Sequence, residues 1–273
     1  VRCRRASKRS YGRSSLRSGR SDPTDPSIQI LGCRVDALTR DEGVARIAEL
    51  AQGTSPSLVV TLGVEMTMYA QRDARFRALV NSAALSLCDT IGILLASRAR
   101  HGPLRERVTG VDLIEPLAER SAAGEDLRLF FFGGASGVAE RAAIALRHRF
   151  PGVQIVGTRD GYFAPGQSPT IVASIVASKA NVLLVGLGSP KQEYWLEDYL
   201  DATKCGVGMG VGGSFDVLAG TVPRAPRLWR RVGLEWLYRL IREPSRWRRQ
   251  LALPRFAFAA TREAMTERGS RQQ

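Results

Sequence analysis

The sequence predicts an α/β protein, a Rossmann-like and mostly parallel sheet with helices on both faces, followed by a helical C-terminal appendage. Three observations carry that expectation. Short apolar runs recur every few tens of residues, with helical patterns between them, which is the spacing that a strand, a crossover helix and a parallel strand require. The runs are apolar throughout instead of alternating, as strands covered on both faces are. From Pro223 onward the strand signal stops, and the remaining chain reads as helices punctuated by Pro226, Pro244 and Pro254.

Taken in order, residues 1–20 carry Arg2, Arg4, Arg5, Lys8, Arg9, Arg13, Arg17 and Arg20 with no acid and no apolar core for an export signal. Residues 1–27 are expected to be a basic, disordered tail ending in the turn-rich "SDPTDPS" (21–27). The α/β domain is expected over 28–220, with strands at 58–62, 85–89, 127–132, 153–157, 182–187 and 206–211. Helical patterns fill 64–83, 137–150 and 168–180, and Lys191 to Leu200 forms another helix with Pro190 tolerated near its start. Residues 221–273 form the Arg/Trp-rich appendage, either membrane-facing or closing a site. Projected as a helix, Trp229, Val232, Trp236 and Leu240 share one face opposite Arg227, Arg231 and Arg242.

Composition narrows the function. A chain of 273 residues can bury a core of roughly 75% of its unfolded surface, and no apolar stretch reaches the roughly 18 residues of a membrane span. The net charge is +14, yet residues 1–20 hold eight cations and residues 221–273 hold 13 arginines against four acids. The intervening domain is therefore slightly acidic. A nucleic-acid binder spreads its basic surface over the folded module, so no nucleic acid is expected, and an anionic membrane surface is the competing partner. Cys3, Cys33, Cys88 and Cys205 are far apart, and the only histidines are His101 and His148. No zinc site is readable, Cys88 and Cys205 read as buried apolar residues, and a reducing compartment fits.

Candidate chemistry gathers at strand ends. "LFFFGGASGVAE" (129–140) places Gly133 and Gly134 between a strand and a helix, where backbone N–H groups can approach a diphosphate. The G-x-G-x-x-G spacing is absent, which argues against a nicotinamide or flavin enzyme. "GVGGSFDVLAG" (210–220) has the same ambiguity. "LSLCDTIG" (85–92) ends a strand on Asp89, which reads either as a helix cap or as a carboxylate facing a ligand crevice. No D-x-D motif is present to hold a divalent metal, so arginines and backbone donors would have to meet a leaving-group charge.

From about residue 58 to 255 the chain resembles the WecG/TagA/CpsF family of bacterial glycosyltransferases. The resemblance rests on "TLGVEM", "CDTIG", "ERVTG", "FFFGGASGV", "RFPGVQIVGTRDGYF", "VGLGSPKQE", "GVGGSFDVLAG", "RAP" and "GLEWLYRLIREPSRWRR", in family order. It implies an inverting, metal-independent transfer, with no cofactor, from a UDP-sugar donor to a polyprenyl-diphosphate-linked sugar acceptor. The sugar would be N-acetylmannosamine-like, a uronic acid or a hexose. Such an enzyme would work in cell-surface polysaccharide synthesis, peripheral on the cytoplasmic face of the membrane, and a homo-oligomer is compatible with it. Carried over by motif, Asp89 is the general base, Thr61, Arg107 and Gln192 line the pocket, and Arg239, Arg246 and Arg249 meet a diphosphate. Two positions depart from the family pattern: Gly63 replaces the usual Asn, and Thr90 the usual Gly. The alternative from another class is a non-catalytic basic adaptor that binds anionic membrane or nucleic acid through its charged ends.

Overall fold

The computed structural model describes residues 26–164, 166–226, 229, 235–242, 247 and 251–271. The basic segment 1–20, Arg246 and Arg249 lie outside the described residues. Eight strands, β1 (Ser27–Ile30), β2 (Cys33–Asp36), β3 (Ser57–Leu62), β4 (Leu85–Cys88), β5 (Leu129–Gly133), β6 (Ile155–Arg159), β7 (Val182–Gly186) and β8 (Val207–Gly210), form one sheet. Their order is β1-β2-β4-β3-β8-β7-β5-β6. Only β1 runs antiparallel to its neighbour; the remaining pairs are parallel. All six expected strands are present, with ends displaced by a residue or two.

The β1–β2 hairpin was not anticipated, because its strands are short and β2 carries a buried charge pair instead of an apolar run. Asp36 is buried, accepts the Ser86 N–H at 2.8 Å and pairs with Arg34 at 3.1 Å. Arg34 in turn donates to the Ala83 carbonyl at 2.5 Å. These two side chains complete the seam between β2 and β4, where the backbone register contributes the single pair Asp36↔Leu87. A buried ion pair persists only when its remaining lone pairs and protons are satisfied in this way.

Helices cover both faces: α1 (Arg40–Ala51), α2 (Val64–Ala70), α3 (Ala74–Ser82), α4 (Ile91–Ala99), α5 (Gly110–Ala122), α6 (Val138–Arg149), α7 (Ser168–Ser178), α8 (Lys191–Thr203) and α9 (Ser214–Leu218). Thr39 and Thr109 start α1 and α5 with reciprocal capping boxes. The helical pattern over 64–83 is two helices, not one, because the Asp73 carboxylate accepts the Phe76 N–H at 3.0 Å and opens a new helix there. Successive strand residues enter opposite cores. Val60 and Phe132 pack with Trp195 and Leu196 on one face, while Val59 and Phe131 pack with Leu113 and Phe215 on the other. Full burial of such side chains stabilises the fold by about 1.5–3 kcal/mol each.

Among the described residues two longer C-terminal helices follow, α10 (Glu235–Arg242) and α11 (Ala252–Arg271). Phe256 and Ala260 of α11 join the core beside α2 and α4. Glu263 fastens the same helix to the hairpin turn, accepting the Leu31 N–H at 3.0 Å and pairing with Arg100 at 3.0 Å. Cys33, Cys88 and Cys205 are buried and free, as read for Cys88 and Cys205. Burial pushes the Cys33 and Cys205 thiols up to about 11. No helix among the described residues is long and apolar enough to cross a membrane.

Candidate active site

The strand order reverses at β3: the chain moves from β3 to β4 on one side, while β8 flanks it on the other. In open α/β sheets a crevice forms at such a point, outside the carboxyl ends of the strands. A cavity of about 480 Å³ lies there. Its wall includes Thr61 and Gly63 from the β3 end, Asp89 and Thr90 from the β4 end, Arg107 from the segment before α5, and Gln192 from α8. The turn after β8, with Gly212 and Ser214, closes the far side.

Parallel pairing fixes the position of Asp89. Leu62 and Cys88 are level in the β3–β4 register, and the Asp89 N–H continues the ladder to the Leu62 carbonyl at 3.0 Å. Asp89 is half-buried at the cavity wall. It is not the cap of α4, since the N-cap is Thr90. Thr90 itself reaches across to the neighbouring strand end, where its Oγ1 accepts the Val64 N–H of α2 at 3.2 Å. The Val108 N–H donates to the Cys88 carbonyl at 2.6 Å and folds the preceding segment over the end of β4. That fold brings Arg107 to the same cavity. The Cys88 thiol responds to both neighbours: burial pushes it up to about 12, the Asp89 carboxylate adds to the rise and the Arg107 guanidinium opposes it.

Thr61 donates its hydroxyl proton to the Gly210 carbonyl at 3.2 Å, tying β3 to β8 beneath the cavity. Gln192 is buried, and its Oε1 accepts the Gly212 N–H at 3.0 Å. Thus Thr61, Asp89, Arg107 and Gln192, far apart in sequence, meet in one cavity.

The remaining expected residues fall elsewhere. Gly133 and Gly134 end β5 and do not line this cavity. A Cβ on Gly133, where φ is 139°, would lie 2.4 Å from the Gly186 carbonyl carbon, and the Gly134 N–H donates to the Gly186 carbonyl at 2.9 Å. These glycines let the ends of β5 and β7 approach each other. Arg239 belongs to α10, but its side chain, like Arg246 and Arg249, is outside the described residues.

Glu65, Arg224 and Leu253 also line the cavity and were not singled out individually in the sequence, whereas Trp236, read as part of the apolar face of the appendage, lines it too. Trp236 and Leu253 bring the C-terminal helical region to the wall. Arg224 pairs with Asp112 at the start of α5 and lies 3.9 Å from Glu115. The only signal for it was its place in "RAP", since an isolated arginine in a loop has no periodicity.

A site of this composition, with the carboxylates of Asp89 and Glu65 among arginines, the Gln192 amide and backbone donors, suits proton abstraction from an alcohol beside an anionic leaving group. The family described as "Glycosyl transferase WecG/TagA/CpsF family" matches residues 28–270. A protein of Bacillus spizizenii (strain ATCC 23059 / NRRL B-14472 / W23) is 36% identical over 203 residues, covering 74% of this chain and 78% of its own length. That protein is an N-acetylglucosaminyldiphosphoundecaprenol N-acetyl-beta-D-mannosaminyltransferase. The chain belongs to the WecG/TagA/CpsF family and is a glycosyltransferase.

Proposed function

We propose that this enzyme moves an N-acetylmannosamine-like sugar, or a related hexose or uronic acid, from a UDP-sugar to a polyprenyl-diphosphate-linked sugar, in cell-surface polysaccharide synthesis. The observation that carries the reading is the convergence of Asp89, Arg107, Thr61 and Gln192 on one cavity at the switch point of the sheet. Asp89 takes the proton of the acceptor hydroxyl as its oxygen attacks the anomeric carbon, and the bond to the UDP oxygen breaks on the opposite side. General-base help of this kind contributes typically 10²–10⁴ in rate. Attack from the opposite face inverts the anomeric centre; with an α-linked donor the product is β-linked, the linkage that the Bacillus relative's name carries.

The diphosphate departs toward Arg107 and Arg224 and the backbone donors around Gly213. Arg239, Arg246 and Arg249 of the appendage add charge to the same leaving group. On this reading the transfer needs no metal, because arginines and backbone donors meet the leaving-group charge. The acceptor lipid requires work at a membrane, and the basic appendage with its exposed Ile241 and Trp247 supplies a surface for the cytoplasmic leaflet.

The test is direct. Wild-type protein is given a panel of UDP-sugars and a short polyprenyl-diphosphate acceptor, and the products are read by mass spectrometry. Asp89→Asn should bind the donor as wild type does and lose 100-fold or more in turnover, on the order of the general-base contribution. Wild-type turnover by the variant removes Asp89 from the base role. Vesicle or nucleic-acid binding without transfer from any sugar in the panel would favour the adaptor.

A further inference from the structure

Gln192 and Glu193 are consecutive on α8, and consecutive helical side chains do not face each other. Here both turn inward. Gln192 Nε2 donates to Glu193 Oε1 at 2.7 Å, and both residues are almost wholly buried, at 3% and 1% exposure. The space comes from β8: a Cβ on Gly210 would sit 2.5 Å from Gln192 Nε2 and 3.0 Å from Glu193 Oε1.

The two hydrogen bonds of the Gln192 carboxamide leave it one orientation. The Gly212 N–H can only donate, so the carboxamide oxygen must face it. Glu193 Oε1 accepts, so the NH₂ group must face the carboxylate. An amide NH₂ has two hydrogens, and Glu193 takes one. The other remains for whatever enters the cavity that Gln192 lines. Glu193 is not part of that wall, and its Oε2 is buried near the Ser189 hydroxyl without a hydrogen bond of good geometry. A carboxyl so placed costs free energy, and sequences retain such a group where it does something that an apolar residue cannot.

We propose that Glu193 is a positioning residue that locks the Gln192 carboxamide, so that the enzyme presents a fixed N–H donor to an oxygen of the bound sugar nucleotide. This rests on the reading of the cavity as the sugar-nucleotide site. Burial raises the Glu193 pKa above the usual carboxylate range, against the lowering influence of the Gln192 amide and the nearby Ser189 hydroxyl. A glutamine side chain has the shape of the glutamate and keeps an accepting oxygen at the Oε1 position. Glu193→Gln should therefore keep the lock, and Glu193→Met, of similar length, should release it.

The experiment combines kinetics with a readout that needs no turnover. In wild type and Glu193→Gln, selective ¹⁵N-glutamine labelling, with the Gln192 signal assigned by its loss in Gln192→Ala, should show a slowly exchanging side-chain NH₂. In Glu193→Met that signal should exchange at least tenfold faster while the melting temperature is unchanged or higher. The donor KM should rise about tenfold in Glu193→Met with kcat nearly constant, about the effect of one lost hydrogen bond. Glu193→Gln should recover most of it, and Gln192→Ala/Glu193→Met should be no worse than Gln192→Ala. An unchanged NH₂ exchange rate in Glu193→Met, or losses that multiply in the double variant, would overturn the proposal. Altered exchange in a protein that transfers no sugar would instead overturn the functional reading and leave the lock standing.

Discussion

The methyl group of Thr90 stands against the space that a side chain on residue 63 would need: a Cβ on Gly63 would lie 3.0 Å from Thr90 Cγ2 and 3.7 Å from Asp89 Oδ2. Gly63 and Thr90 are thus neighbours across the ends of β3 and β4. Thr90 fills the gap and also receives the Val64 N–H, a bond that ties the start of α2 to the end of β4. Enlarging residue 63 alone should crowd both Thr90 and the Asp89 carboxylate. Gly63→Asn should lower kcat/KM by about tenfold or more, in line with overpacking costs of about 1–3 kcal/mol. Adding Thr90→Gly should recover much of that loss, and steady-state kinetics on the two single variants and the double variant checks the coupling.

The C-terminal helix is expected to be required for the cavity's shape. Phe256 is buried between α11 and the α/β body, and a Cβ on Gly92 of α4 would lie 3.6 Å from its ring. Phe256→Ala should cost about 3–5 kcal/mol of stability. Because Leu253 on the same helix lines the cavity, the donor KM should rise together with the fall in melting temperature. Calorimetry and a donor titration report the two effects separately.

Asp112 links stability to pH. Burial disfavours its charge, but hydrogen bonds from Thr109 and the Arg224 guanidinium outweigh that, and its pKa falls below the ordinary 3.8. A carboxyl with a depressed folded pKa adds stability that is fully present above its unfolded pKa and is lost as pH falls through the folded value. Asp112→Asn should therefore lower the melting temperature at pH 7, and the difference from wild type should shrink as pH falls below the ordinary 3.8. Melting curves across pH 2 to 7 test the sign.

Leu251, Phe258 and Met265 are seven residues apart and exposed, with Arg255 and Arg262 exposed between them. Phe258 and Met265 share one face of α11, away from the buried Phe256, Ala260 and Ala264, and Leu251 stands just before the helix. On the membrane reading, Phe258→Ser with Met265→Ser should reduce flotation with anionic vesicles several-fold without altering the melting temperature by more than a few degrees. High salt should weaken the same association, since each basic side chain contributes about 1 kcal/mol at an anionic surface. Flotation of the double variant at the wild-type level would remove α11 from the contact.

The apolar runs of β3, β4, β5 and β7 were legible because a strand buried on both faces needs little besides bulk and branching, and both are written residue by residue. The glycine turn after β8 and the Pro190 start of α8 were legible for the same local reason. Motif resemblance supplied Asp89, Thr61, Arg107 and Gln192 together, yet their meeting depends on the level register of β3 with β4 and the place of β8 beside β3, which are long-range facts. The hairpin seam at Arg34 and Asp36 escaped notice because a buried ion pair looks, in sequence, like surface charge. Gly133 and Gly134 show the converse: their sequence admits a phosphate contact, while the packing of β5 on β7 uses them for two backbones. Local chemistry set the layers and the types of group available; which groups share a cavity was decided only when the strand order brought distant ends within hydrogen-bond reach.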